Sequence, residues 1–523
     1  MKEKNHELLT ITVEDFGPIK EGKVTLKPLT IFFGKNNTGK TYIGYLIWGI
    51  TKNYPFIGRK VQGHDKLIEL LKNYTPSTQH TSSCKFPFGS YEYAGEVDIF
   101  PTILLTKENV QSLFNFPIQF KQAKVLIPIQ IKLKIGIELK EKISKDESLL
   151  ENFHKLSFPD SLKPRFGFAK GPSKKNENEH EIKEYEFEVI VLRDTNTNEY
   201  YVCITAPPRI LENEAKHIAM NIVNNIINFE LRRVISNPVF IPASKSGLVL
   251  LSKLLARNLL EEKFSRRYKI IKYVKEEEEK QAEQEFELSL PDPIVDFIKK
   301  DPTFSQSYSE NPKTEFKDIV EFLESNLLKG KLEYNKNLNL IKYLPSLSES
   351  LSLPPQYSSS LVVESIPLLL YLKYTDFIRK KTLVIIEEPE AHLHPDAQRI
   401  LARALVKLVN KGVYVLLITH SPYILQQINN NIKLYYLKKN GKEKELREFL
   451  EKHGWEEDEI IDPSKIAPYL FDDSEGYTKI RELEIIENDG ISSEAFYYTI
   501  KELFNETYEL RDLLESENNE RAE

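Results

Sequence analysis

Eight consecutive residues, Gly34-Lys35-Asn36-Asn37-Thr38-Gly39-Lys40-Thr41, fit the pattern G-x-x-x-x-G-K-[ST] at every fixed position. The chemistry open to such a stretch is polyphosphate binding. Its glycines let the backbone wrap an anion, and successive N–H groups form a nest at a helix N-terminus. Lys40 would reach the β- and γ-phosphates of a nucleotide, and the Thr41 hydroxyl would bind Mg²⁺. The competing explanation is a chance Gly-rich turn.

Two further stretches could complete the chemistry. Glu387-Glu388-Pro389-Glu390 closes the unbroken apolar run Thr382-Leu383-Val384-Ile385-Ile386. Neighbouring strand side chains point to opposite faces, so the two carboxylates need not share a role. Glu387 is assigned to Mg²⁺, through water, and Glu388 to the attacking water as general base. The alternative is an acidic helix N-terminus, which Pro389 would suit at a first helical position. His420-Ser421-Pro422 ends a second apolar run, Val413–Thr419. His420 there reads as a γ-phosphate contact, or else as an ordinary histidine at a strand tip.

Those groups need scaffolding, and the flanking patterns predict it. Leu29–Phe33 reads as a buried strand into the loop, and Thr41–Trp48 as a helix out of it. Runs without polar alternation, such as Leu383–Ile386, suit parallel strands buried on both faces, where ligands gather at the carboxyl ends. The chain therefore reads as α/β. Leu8–Phe16 and Gly22–Leu26 predict an antiparallel flank. Tyr185–Leu192 and Glu199–Thr205 predict a hairpin turning at Asp194–Asn198, and Gly330–Leu344 another turning at Asn335–Asn337. Helices are expected over Glu212–Ile235 and, charge-dense, over Leu248–Glu285. Ser173–Glu184 reads as a mobile loop. After the His420 strand, strands or loops are expected to Ile486, then a helix over Ser492–Leu514.

These motifs together resemble the ABC-type P-loop ATPases of the SMC and RecF class, and more closely the stand-alone "AAA family" ATPases related to the overcoming-lysogenization-defect (OLD) proteins. The resemblance rests on Ile11–Ile19, Leu26–Thr30, the P-loop, Phe240–Gly247, Glu387–Gln398 and Thr419–Pro422, and covers the first ~50 residues and most of 355–505. It implies a P-loop NTPase fold of ABC type, with antiparallel flanking strands, a large α+β insertion and a C-terminal helical extension. The implied divisions are 1–53 and 351–435 for the two ATPase lobes, 54–350 for the insertion and 436–523 for the extension. The implied cofactors are ATP and Mg²⁺. Lys245 stands where relatives usually carry Arg, and the Walker B pair is Glu-Glu rather than Asp-Glu. The ABC signature is absent; its counterpart is Tyr357–Ser365, whose Ser358 and Ser359 would touch the γ-phosphate held by the opposite subunit of a homodimer, or else simply cap a helix. No Q-loop glutamine is evident. Nor is the Glu and Asp-x-Asp pattern of a TOPRIM nuclease, Asp472-Asp473 lacking the framing strands. The expectation is an ATP-driven switch that closes as a dimer and works through a separate effector protein, in defence against phage or plasmids. A DNA-binding repair ATPase of RecF type and a non-hydrolysing nucleotide scaffold are the other readings.

Composition narrows these. The chain has 523 residues, long enough for two or three domains, with 41% hydrophobic and 29% charged residues, as in globular proteins. Net charge is −6, which lends no support to DNA binding. Lys253, Arg257, Arg266, Arg267 and Lys269 are candidates for a local basic face, against a plain solvated one. No apolar run reaches membrane-spanning length, and a cytoplasmic protein is expected. The two cysteines, Cys84 and Cys203, are too few and too far apart in sequence for a local metal site.

Overall fold

The computed structural model describes residues 6–52, 60–62, 64–73, 92–105, 114, 118–126, 131–139, 153–156, 165–169, 182–186, 188–194, 200–206, 212–250, 290–302, 304–348, 350–492 and 502–513. These fall into two compact units, one of residues 1–55, 107–123 and 235–523, the other of 56–106 and 124–234. The expected division of the chain placed 54–350 together as an insertion; in the structure, residues 235–350 belong with the first unit. The reason is local. Ser236–Ile241 pairs in parallel with Thr382–Glu387, and Asp292–Lys299 buries Ile294, Phe297 and Ile298.

The strands of the first unit include, in chain order, β1 (Thr10–Phe16), β2 (Ile19–Thr25), β3 (Leu29–Gly34), β4 (Ser236–Ile241), β5 (Gly330–Asn335), β6 (Leu340–Pro345), β7 (Thr382–Glu387), β8 (Tyr414–Ile418), β9 (Ile466–Asp472) and β10 (Thr478–Glu482), most of them in one sheet. Their order is β4-β7-β8-β3-β9-β10-β2-β1, with β5 and β6 forming a separate hairpin. The five strands from β4 to β9 run parallel. β9–β10 and β1–β2 pair antiparallel and make the flank. Every residue of β7 is buried, which explains its lack of polar alternation.

The helices of this unit follow from their caps and stripes. They include α1 (Lys40–Thr51), α2 (Asp292–Lys299), α3 (Lys317–Phe322), α4 (Ser360–Tyr374), α5 (Pro395–Asn410), α6 (Pro422–Lys439) and α7 (Glu443–His453), and residues 502–513, inside the expected Ser492–Leu514, are helical too. In α5, Pro395 opens the helix, Asp396 sits in the first turn and Lys407 in the last, agreeing with the helix dipole. Its buried Ala397, Leu401, Ala404, Leu405 and Leu408 recur at helical spacing. They join Ile31, Val384, Val415 and Leu417 of the sheet in one apolar core.

Several expectations shift. Of the stretch after His420 expected as strands or loops to Ile486, Pro422–His453 is instead α6 and α7, whereas β9 and β10 are strands as expected. Ser421 accepts hydrogen bonds from the Tyr423 and Ile424 N–H groups, Pro422 takes the first position, and Ile424, Ile428 and Ile432 are buried. Part of the region expected as an appended extension, β9, lies inside the sheet beside β3. Pro389 opens no helix: residues 389–392 form turns, and the helix begins at Pro395. The second hairpin turns over residues 336–339, close to its expected place.

In the second unit, Glu92–Leu105, Ile131–Leu139, Tyr200–Ala206, Glu188–Asp194 and Phe153–Leu156 form a mixed sheet in that order. The expected hairpin is there, Glu188–Asp194 against Tyr200–Ala206, but Tyr185 belongs to a separate strand paired with Arg165–Ala169. The helix Glu212–Val234 matches its apolar spacing. Cys84, residues 253–269 and most of the charge-dense arm and of 173–184 lie outside the described residues.

Candidate functional site

The phosphate-loop sequence sits between the end of β3 and the start of α1. Gly34 has φ 137°, and a Cβ there would stand 2.5 Å from the Phe471 carbonyl oxygen of β9. Gly39, at φ 89°, caps α1, and Asn37 takes φ 63°. Only glycine, and sometimes asparagine, tolerates such angles cheaply. The Lys40 ammonium is buried and donates to the carbonyls of Gly34 (3.0 Å) and Lys35 (2.5 Å) and to Thr38 Oγ1 (3.2 Å). Thr38 in turn donates to the Lys35 carbonyl at 2.9 Å. Burial pushes Lys40 down to about 8, while Glu388, Glu390 and Asp473 resist the fall. Lys35 and Asn36 are exposed, and Lys35 pairs with Asp473 at 3.1 Å.

Parallel pairing of β3, β8 and β7 sets their carboxyl ends on one edge, and so brings distant residues to this loop. Glu387, the last residue of β7, is 5% exposed. Its Oε2 accepts from the Ala243 N–H at 3.4 Å, and the Thr41 hydroxyl lies close enough to favour its charged form. Its Oε1 is buried without a partner, and burial holds the carboxyl above its ordinary range. An orphaned buried oxygen beside a threonine hydroxyl fits a hard divalent cation. The structure thus brings together the two residues expected to bind Mg²⁺.

Glu388 stands one residue past the strand at φ 41°, a strained region costing about 1–3 kcal/mol. Its N–H donates to the Ile418 carbonyl at 2.8 Å, and its side chain stays 44% exposed. Glu388 Oε1 lies 3.9 Å from His420 Nε2. Burial, then the Lys40 charge, pushes the imidazole below its usual value, against the pull of Glu388 and of the Gly34 main chain. Both groups expected to act on the γ-phosphate therefore face each other next to Lys40.

Ser358 and Ser359 stand elsewhere, at the start of α4. Ser358 donates to the Pro354 carbonyl at 3.1 Å. Ser359 is exposed and occupies the cap position of α4 without a side-chain capping bond.

Three residues that hold the site were missed from sequence. Glu390 accepts from Thr419 Oγ1 (2.8 Å) and the His420 N–H (2.6 Å), fixing the tip of β8. Gln398 of α5 accepts from Ser421 Oγ at 2.5 Å. Glu364 pairs with Lys245 at 2.8 Å. The signal for Glu364 was available: it is the lone charge between Leu361 and Leu372, where a buried acid requires a partner.

The lining residues of a cavity of about 530 Å³ include the β1–β2 turn, Asn36–Thr38 of the loop and Asp473, Gly476, Tyr477 and Thr478. Among the described residues, three or more His, Cys, Asp or Glu nowhere cluster as a metal cage, and no helix is long and apolar enough to cross a membrane.

A model of the AAA ATPase domain matches residues 7–425, most of the chain. The chain belongs to this AAA ATPase family. Of the curated proteins compared, none matches this chain. Among solved structures it is similar to an Smc head bound to the C-winged helix domain of ScpA, at 10% identity and TM-score 0.32, covering 91% of this chain and 97% of that one. An Smc head with an extended coiled coil, bound to the C-terminal domain of ScpA derived from Pyrococcus furiosus, gives 11%, 0.30, 97% and 100%. The SMC head domain from Thermotoga maritima gives 9%, 0.28, 91% and 99%. These overlaps are loose.

Proposed function

We propose that the protein binds and hydrolyses ATP with Mg²⁺, and that two copies close around the nucleotide as a switch acting through a separate effector protein. The observation that carries this is the meeting of Lys40, the Thr41–Glu387 pair and the facing Glu388 and His420 at one edge of the sheet. The loop N–H groups and Lys40 take the β- and γ-phosphates, and the cavity beside Asn36–Thr38 has room for the nucleoside. Thr41 and Glu387 would hold Mg²⁺, which when bound neutralises charge developing on the phosphate oxygens. Glu388, exposed and beyond the strand, takes a proton from water as its oxygen attacks the γ-phosphorus and the bond to ADP breaks. His420, neutral near pH 7 because its pKa is lowered, is suited to donate a hydrogen bond to the γ-phosphate rather than to compete for the water's proton. The uncapped, exposed N-terminus of α4 at Ser359 supports a contact with the phosphate held by a second copy. The resemblance alone suggests defence against phage or plasmids as the setting.

Light scattering with parallel phosphate release, on wild type and Glu388→Gln, tests this. The expected result is ATP- and Mg²⁺-dependent phosphate release and dimerisation by wild type. Glu388→Gln should keep the dimer and lose about 10²–10³-fold in turnover. If ATP alters neither assembly nor phosphate, the switch is excluded and a static nucleotide scaffold takes its place.

A further inference from the structure

Lys245 follows β4 on the Pro242–Ser246 segment and is 3% exposed, yet the phosphate chemistry above leaves it no task. Its ammonium makes two contacts with separate elements. One is the ion pair with Glu364 Oε2 of α4, at 2.8 Å, a residue itself 4% exposed. The other is a hydrogen bond donated to the main-chain carbonyl of Glu388 at 3.2 Å. The Ala391 N–H donates to the same carbonyl at 3.0 Å. The second Glu364 oxygen faces His392 Nε2 at 3.9 Å.

A buried ion pair is by itself weak evidence of a stabilising role. Replacing a buried pair with apolar residues of similar size is often neutral or stabilising, whereas removing one partner is strongly destabilising. The position of this pair is what distinguishes it. Glu388 is held at φ 41°, so the orientation of its peptide governs where its carboxylate points. Glu364 lies on the helix whose exposed N-terminal end carries Ser359. Beside the pair is a cavity of about 30 Å³, bordered by Lys245, Glu364, Pro389 and Leu393, which leaves the ammonium room to shift.

We propose that Lys245 is a positioning residue that couples α4 to the main chain of Glu388, so that the carboxylate is aimed for hydrolysis only while α4 is seated. The inference rests on the ATPase reading given above. The seating of α4 against nucleotide on a second copy would thus be felt at Glu388 through one side chain.

The test is steady-state hydrolysis by wild type, the double variant Lys245→Met/Glu364→Leu, and Lys245→Arg, with a fluorescent ATP analogue reporting binding and a thermal melt reporting fold. Removing both charges together avoids stranding either one. The double variant should melt near the wild-type temperature, bind the analogue within about twofold of wild type, and lose at least about tenfold in kcat with KM unchanged. Lys245→Arg, which keeps a donor and a charge, should recover most of the rate. A double variant that hydrolyses at the wild-type rate overturns the inference, because a purely structural pair is dispensable once both charges are gone. Wild type that releases no phosphate removes the ATPase reading and this inference with it, and that result is distinguished by the wild-type sample alone. Should the double variant not fold, Lys245→Gln/Glu364→Gln, which removes both charges together and keeps polar groups at both positions, takes its place. A fall in its kcat at constant KM supports the coupling, and an unchanged kcat overturns it.

Discussion

Lys40 carries the sharpest residue-scale consequence. Its ordinary pKa near 10.5 falls to about 8 because burial strips water from the ammonium and the nearby carboxylates only partly compensate. For a base with a depressed folded pKa, the unfolded chain binds more protons between the two values. The free protein therefore gains stability as pH rises from about 8 toward 10.5. Polyphosphate beside Lys40 would restore the charged form. Nucleotide binding is then expected to take up close to one proton at about pH 9 and almost none from Lys40 at about pH 6.5, with affinity falling above about pH 8. Calorimetry in two buffers of different ionisation enthalpy measures this. Equal heats in both buffers at the higher pH would show that Lys40 does not meet the phosphates. The role expected for this lysine was legible from its place in the loop pattern; its altered basicity was not, since that comes from burial in the folded core, partly offset by Glu388, Glu390 and Asp473, 348 or more positions away in sequence.

At the scale of elements, the loop holds its shape because β9 presses against it. Gly34 and Gly412 both have positive φ, 137° and 88°. A Cβ on Gly412 would meet only the Lys380 side chain at 3.7 Å, whereas one on Gly34 would strike the Phe471 carbonyl at 2.5 Å. Gly412→Ala is expected to cost about 1–3 kcal/mol through backbone strain alone, and Gly34→Ala more, with nucleotide binding lost in the latter only. Denaturant midpoints together with binding of a labelled nucleotide check both, and equal costs would mean that β9 yields to the loop. The pattern of fixed glycines announced Gly34 in the sequence. The carbonyl that makes it obligatory lies on a strand whose pairing no local pattern specifies. Similarly, Glu390 was visible within a run of acids, but its two bonds to Thr419 and His420 exist only once β7 and β8 lie side by side.

For the whole molecule, the arrangement of β9 is the decisive feature. It runs parallel to β3 from Ile466↔Leu29 to Phe471↔Gly34, and its other edge pairs with β10. Tyr469 and Phe471 pack their rings on Phe32 of β3. A chain truncated just before Ile466 would leave β3 with an unpaired edge and an uncovered core. It is expected to be insoluble or to bind no nucleotide, whereas truncation after residue 501 is expected to keep both. Soluble yield and labelled-nucleotide binding of the two truncations test this, and a folded, binding-competent short form would show that β9 is dispensable.

The sequence by itself determined the phosphate loop, the acidic end of β7, the histidine at the end of β8 and the α/β class. Each of these is written in a short window, where glycine's conformational freedom, strand burial and side-chain chemistry act on neighbouring residues. Tertiary structure alone decided that Glu387 meets Thr41, that Glu388 faces His420, that Lys245 bridges Glu364 and Glu388, and that a strand near the end of the chain supports a loop near its beginning. Those contacts follow from which strands lie side by side. Strand order is chosen by burial of the whole core rather than by any one segment's pattern.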